Sequence, residues 1–350
     1  MGSTGERRVS RGLAGIVLAA ALCAAGQAGA QSHEQIVAAA KKEGKVVAYG
    51  ETITPSWKKI KAGFEAKYPG ITMEFVYLPT VQSLNRAMQE QDAGQHIVDL
   101  MNIDAPYYDP LIRKGYLAQY VSPENAHYDA QWKSSPEGYW VRTYVSIMGA
   151  MYNRRLVGDT ARPAGVQGLL DPRWKGKLAI VSPVLNSLTL SWFAAVVDDW
   201  GKDRAYKFFR ALAAQQPRMF NGGLPVSQGV NTGEFPVGLS FVAHVWAVGG
   251  GPQKNMNFSP EETMYGAGGA AVAVMKNAPH PNAARLLADY MIGKDGAQLN
   301  EELGYLATYR GGSSIPEMKN IKVKLPPSPI GARAADFEAL KNDLRDIFGG

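Results

Sequence analysis

The chain of 350 residues has one cysteine, Cys23, and it lies in an N-terminal apolar run. A chain that loses that run keeps no thiol, which removes disulfides, thiol nucleophiles and cysteine metal sites together. Long hydrophobic runs are equally scarce. Only Leu13–Ala24 is continuously apolar, and it is too short to span a bilayer comfortably. Arg7, Arg8 and Arg11 precede it and Ala28-Gly29-Ala30 follows it, the layout of a cleavable export signal over residues 1–30. Glu6-Arg7-Arg8-Val9-Ser10-Arg11 also has a faint twin-arginine character, so the export route stays open. Leu22 before Cys23 fits a lipid-anchor site poorly, and the expected product is a soluble periplasmic protein starting near Gln31.

Strong charge of one sign is also missing. The formal charge is +6, of which three Arg and one Glu in the leader supply +2, leaving +4 for the remainder. That balance gives no footprint for nucleic acid, although it suits small anions. Histidines are few and scattered: His33, His96, His127, His244 and His280 form no pair at metal-ligand spacing, and no metal site or cofactor is expected. There is no G-x-S-x-G elbow, phosphate loop or dinucleotide glycine pattern. Ser56-Trp57-Lys58-Lys59 matches S-x-x-K, but the S-D-N and K-T-G elements that accompany a serine nucleophile are missing. The expectation is therefore no enzyme, with a Ser56/Lys59 serine enzyme as a remote alternative.

What is present is an ordinary globular composition, 46% hydrophobic and 19% charged, over about 320 residues, more than one compact core usually holds. Helical and strand periods alternate, the pattern of an α/β protein with largely parallel sheets. In "TPSWKKIKAGFEAKYPG", Trp57, Ile60, Phe64 and Tyr68 share one face, and Pro69-Gly70 stops the helix. "DRAYKFFRALAAQ" turns Ala205, Phe208, Phe209 and Leu212 inward. Val141–Tyr152 is one extended run, longer than a usual strand, and can leave one sheet for another. Residues 266–276, "GAGGAAVAVMK", are the candidate return crossing.

Six phrases occur in the order and spacing of one known family: "AAKKEGKVVAYG", "FEAKYPGITMEFVY", "LLDPRWKGKLAI", "WGKDRAYKFFRALAAQQP", "TGEFPVGL" and "APHPNAARLLADYMIGKDGAQL". Together they resemble the type 2 periplasmic solute-binding proteins of ABC importers, in the subgroup that handles ferric ion, phosphonates, sugar phosphates and thiamine. The resemblance implies two α/β lobes, a hinge of two crossing strands and an interlobe ligand cleft. The lobes would be 31–143 with 270–350, C-terminal helices included, and 144–269. It further implies a monomer that closes on a small-molecule ligand and is recognised by a cognate ABC permease, or else by a receptor kinase. Hinge closure of this kind is the handover mechanism for which periplasmic binding proteins are the usual example.

In such a cleft the loops after the strands and the helix N-termini face the ligand. The expected ligand residues are Thr52, Asp104, Arg142, Tyr144, Asn186, Ser187, Thr189, Asn221 and His244. Glu51, Thr54, Asn102 and the Gly222-Gly223 pair lie beside them. Each alone also reads as a solvated loop or cap: Asn186-Ser187 as an N-cap, Asp104 as the start of a turn at Pro106, Arg142 as half of an ion pair. In ferric-ion-binding relatives the resemblance aligns a tyrosine pair with Ala243 and His244, and a histidine with Thr52. Ferric iron wants several anionic oxygens, so the expectation is a small organic anion such as a phosphonate, phosphate ester or carboxylate. Iron or a ferric chelate is the alternative. His244 is read either as a donor or titratable cation facing that anion, or as a buried histidine bonded to backbone.

Overall fold

The structure is a computed structural model that describes residues 2, 32–52, 54–252, 254–310 and 315–349. The proposed leader, Cys23 included, lies outside the described residues except for Gly2. No described helix is long and apolar enough to cross a membrane.

The strands are β1 (Lys45–Gly50), β2 (Thr72–Tyr77), β3 (Leu100–Asp104), β4 (Val141–Arg142), β5 (Tyr144–Val145), β6 (Ile147–Asn153), β7 (Leu178–Val181), β8 (Arg218–Phe220), β9 (Val237–Phe241), β10 (Met256–Phe258), β11 (Thr263–Gly266), β12 (Ala270–Val274), β13 (Leu306–Ala307) and β14 (Lys322–Lys324). They form two main sheets, one ordered β2-β1-β3-β12-β4 and one ordered β14-β11-β6-β9-β7-β8, with β10 on β6. Within the first, β1 runs parallel to β2 and β3 while β12 is antiparallel to β3 and β4. Sheets covered on both faces need strands without a polar side, and β3, β6, β7, β9 and β12 are buried almost throughout.

The helices follow their sequence signals. α1 (His33–Glu43) opens on a Ser32/Gln35 capping box and stops at Gly44, whose φ of 72° a side chain would resist. α2 (Thr54–Lys67) buries Trp57, Ile60 and Phe64, with Tyr68 just beyond it, which is the expected face. α3 is Thr80–Asp92 and α4 is Asp109–Arg113. In the second body α5 (Ser187–Trp200) and α6 (Lys202–Ala214) pack on each other, the latter through Ala205, Phe208, Phe209 and Leu212. α7 (Gly223–Thr232), the short α8 (His244–Ala247), α9 (Pro281–Ile292), α10 (Lys294–Glu302) and α11 (Ala334–Phe348) complete the set.

The run 141–152 is extended but is not one strand. Its ladder partner changes from β12 for β4, to β13 for β5, to β9 for β6, so one segment serves three sheets. The return passes from β11 on β6 to β12 in the first sheet. The two crossings bond to each other through Ser146 N to Gly268 O (2.9 Å), Ala267 N to Ser146 O (2.8 Å) and Thr143 N to Ala270 O (2.9 Å). These are the two crossing strands of a two-lobed binding-protein fold.

One expectation needs correcting. The C-terminal segment was assigned to the first lobe as far as residue 350, yet β14 extends the second sheet by pairing with β11. α11 then packs on α5 and α6. Tyr206 donates to Asp343 at 2.6 Å, and the Phe193 and Phe348 rings meet edge to face at 5.8 Å. The physical reason is the apolar stripe Phe337, Leu340 and Leu344, which finds its cover on the aromatic surface of α5 and α6.

Candidate functional site

The site grows from the carboxyl ends of β1 and β3, where parallel strands deliver loops to one edge. Gly50 permits the two to approach: a Cβ there would stand 2.2 Å from the Asn102 carbonyl oxygen. Glu51 N then bonds Asn102 O at 3.0 Å, and Thr52 Oγ1 donates to Asn102 Oδ1 at 2.5 Å. Thr80, at the start of α3, donates its hydroxyl to Glu51 Oε2. Burial pushes the Glu51 carboxyl up to about 7, helped by negative Asp104 and opposed by the Thr80 hydrogen bond and Arg142.

Asp104 Oδ1 accepts from Ala105 N at 3.0 Å, capping the turn at Pro106, and from Arg142 Nη1 at 2.8 Å. Arg142 Nη1 also donates to Gly269 O at 2.7 Å, so one guanidinium ties β3, β4 and the return crossing. The side chains are only 7% and 13% exposed, which makes this a buried pair. Tyr144 stacks on Tyr305 with ring centroids 4.3 Å apart and planes 30° apart. Burial raises both phenols, and Tyr107 beside Asp104 and Glu51 likewise.

Next to Glu51 a recess of about 40 Å³ enters the first lobe. Its mouth is polar, with Glu51, Thr52, Ser56, Asn102 and Tyr144 beside Tyr305, while Ile60, Leu299 and Leu303 line it with apolar surface. Ser56 Oγ and Asn102 Nδ2 have no hydrogen-bond partner, at 3% and 0% residue exposure.

From the second lobe, α5 points its first turn at this region. Asn186 is the N-cap and accepts from Thr189 N at 2.9 Å and Thr189 Oγ1 at 3.1 Å. Ser187 and Asn221 are exposed. Leu188 and Asp104 approach Gly268 from opposite lobes: a Cβ on that glycine would lie 3.0 Å from Leu188 Cδ2 and 3.5 Å from Asp104 Oδ2. The lobes also touch where Trp246 of α8 meets Gly304 after α10.

The nine expected residues therefore divide. Thr52, Asp104, Arg142 and Tyr144 come together around Glu51. Asn186 and Ser187 stand on the facing lobe, with Asn221 beside them, its carbonyl 3.5 Å from Asn186 Nδ2. Thr189 is fully buried and committed to the cap. His244 is not a free cation. Its Nδ1 lies 3.0 Å from Ser227 Oγ, Ser227 lies 3.2 Å from Ser240 Oγ, and Gly223 supplies a backbone hydrogen bond. Burial pushes the imidazole down to about 4, so the ring is neutral near pH 7. The half-buried ring is thus held by the Ser227 side chain and by backbone at Gly223.

The sequence reading missed Tyr107 and Tyr305, and it left Glu51 among the bystanders. Tyr305 carried no signal, because it reaches the site from 254 residues beyond Glu51 through α10. Four exposed apolar side chains were missed as well: Tyr77 at the end of β2, Val81 beyond it, Leu185 beyond β7 and Leu224 beyond β8. A readable signal existed, since all four stand at or just beyond strand ends, the positions that face a cleft in this fold. Ser56 and Lys59 part company, one buried against the recess and the other exposed on the outer surface.

Two lobes joined by paired crossings, with polar groups gathered at facing strand and helix ends, define a hinged binding protein. Residues 96–326 match the family of bacterial extracellular solute-binding proteins, and the chain belongs to that family. It is 26% identical over 198 residues to an uncharacterised protein of Haemophilus influenzae, an alignment covering 55% of this chain. The chain spans about half, 54%, of the length of that curated relative. Among solved structures, iron-bound HitA from Pseudomonas aeruginosa is similar over 86% of this chain and 99% of its own, with a TM-score of 0.69 and 18% identity. AfuA from Actinobacillus pleuropneumoniae with fructose-6-phosphate bound is similar over 87% and 98%, at 0.64 and 19%. The Trichodesmium FutA complex with iron and citrate is similar over 86% and 99%, at 0.67 and 18%. Such likenesses establish the fold.

Proposed function

We propose that this protein is the periplasmic solute-binding component of an ABC importer, capturing a small organic solute between its lobes and presenting the closed form to a permease. The observation that carries the reading is the convergence of Glu51, Asp104, Arg142 and Tyr144 at the hinge, opposite the first turn of α5, on a chain of this family. A solute touching both lobes favours the closed state by its differential affinity, and no covalent chemistry is needed.

The charge balance does not favour the anionic solute expected from sequence. Arg142 is held by Asp104, His244 is neutral and tied to serine, and Glu51 adds a second carboxylate. A bare carboxylate or phosphonate entering that corner meets an excess of negative charge in a poorly hydrated setting. A second reading, ferric iron or a ferric chelate, draws on Tyr107, Tyr144 and Tyr305 gathering about the two carboxylates. Against it, Asp104 is already committed to Arg142.

Native mass spectrometry of protein taken directly from the periplasm, followed by small-angle scattering before and after the co-purified solute is stripped, tests the reading. Expected is an organic adduct whose removal expands the molecule. A protein with the same dimensions under both conditions overturns hinge capture, and an iron adduct turns the assignment to the second reading.

A further inference from the structure

We propose that the captured solute carries a compact ammonium group, docked on Glu51 at the mouth of the recess and flanked by the Tyr144–Tyr305 stack. This rests on the solute-binding reading above and names the chemical class that the cleft selects.

Four independent features converge. First, two largely buried carboxylates, Glu51 and Asp104, share one guanidinium, and that guanidinium is fixed on Asp104 and the Gly269 carbonyl. Among the described residues, Glu51 has only a neutral hydroxyl, Thr80, as its hydrogen-bonding side chain. A buried carboxylate is costly unless a cation pairs with it, and among the described residues none forms an ion pair with Glu51. Second, Ser56 Oγ and Asn102 Nδ2 are buried at the same recess without partners, although buried polar atoms in folded proteins are nearly always satisfied. A primary ammonium has three donors: one suits Glu51 and another suits Ser56 Oγ, while Asn102 Nδ2 is left to donate to an acceptor elsewhere on the solute. Third, aromatic faces stand beside the carboxylate, Tyr144 against Tyr305 with Tyr107 near, and ring faces attract cations. Fourth, the recess of about 40 Å³ admits a single amine head. Leu185 and Leu224 of the second lobe and Tyr77 and Val81 of the first are exposed apolar side chains at or just beyond the carboxyl ends of β7, β8 and β2, available to the solute's body.

The groups facing Glu51 set its response to pH. They are Asp104 from β3, Arg142 from β4, Thr80 from α3, Tyr107 and Tyr108 from the turn after β3, Tyr144 from β5 and Tyr305 after α10. With the carboxyl pushed up to about 7, the site holds a full negative charge above that pH and loses it below. Affinity for an ammonium falls about tenfold from pH 8 to pH 6 on this basis.

Isothermal titration of ligand-stripped mature protein with methylammonium chloride, against sodium chloride at equal ionic strength, reads the proposal with the head group alone. Sodium methylphosphonate and ferric citrate serve as the opposing probes. Expected are saturable methylammonium binding that weakens about tenfold from pH 8 to pH 6, and its loss in Glu51→Gln. Thr80→Val, which removes the hydrogen bond that lowers the carboxyl, shifts the pH midpoint upward and keeps the test open should the glutamine variant misfold. A methylammonium response no larger than that of sodium, or one kept in Glu51→Gln, overturns the inference. Binding of methylphosphonate or ferric citrate in its place overturns the ammonium class but leaves solute capture standing. Failure of capture itself is read separately, by scattering with the co-purified solute.

Discussion

His244 shows how burial reverses a residue's meaning. An imidazole with an ordinary value near 6.5 in the unfolded chain and about 4 in the folded protein binds more protons when unfolded between those two values. Its contribution is therefore fully present above pH 6.5 and is lost as pH falls toward 4. The amount at stake is about 3 kcal/mol at most. Urea unfolding from pH 7.5 to 4 is expected to show that loss, and His244→Gln to flatten it. Glu51 runs the other way: a carboxyl raised from 4.5 to about 7 costs stability as pH rises through that window. The Arg142–Asp104 pair gives a harsher outcome. Asp104→Ala strands a guanidinium of 7% exposure and is expected to destabilise by about 3–5 kcal/mol, measured by denaturant midpoint. What could be read in advance at this scale was local. Asn186 as a cap follows from three consecutive residues, and so does Asp104 at Pro106. The partners of His244 come from α7 and β9, and Tyr305 comes from beyond α10, so proximity in space, set by the sheet order, decided what the sequence could not.

Among the elements, the crossings carry the sharpest constraint. Gly268 has φ 129°, and a Cβ on Gly269 would lie 2.2 Å from the Tyr144 carbonyl oxygen. Gly269→Ala forces the two crossings apart at the point where Arg142 reaches the Gly269 carbonyl. It is expected to cost more than about 1 kcal/mol in thermal unfolding and to weaken solute binding together with it. Periodicity identified the helices and their buried faces, down to Trp57, Ile60 and Phe64 on α2. Length and apolarity picked out the crossings, since the runs 141–152 and 266–276, of 12 and 11 residues, exceed an ordinary strand. Periodicity could not assign α11. An amphipathic stripe states that a helix needs a cover and is silent on which body provides it; the aromatic surface of α5 and α6 does.

For the molecule as a whole, two lobes already touch across the gap through Leu188 near Gly268 and Trp246 at Gly304. Trp246→Ala removes one of these contacts, so the lobes are expected to spread further in the free state, seen as a larger radius by scattering. Solute affinity then falls only by what closure has to restore. The order in which the first sheet is assembled has a separate consequence. β3 stays bare along one side until β12 arrives, and β12 is made only after the chain has passed through the whole of β6 to β11. Until residues 141–270 have folded, the amino-terminal third is therefore a half-built sheet with an open hydrogen-bonding edge, a known invitation to mispairing.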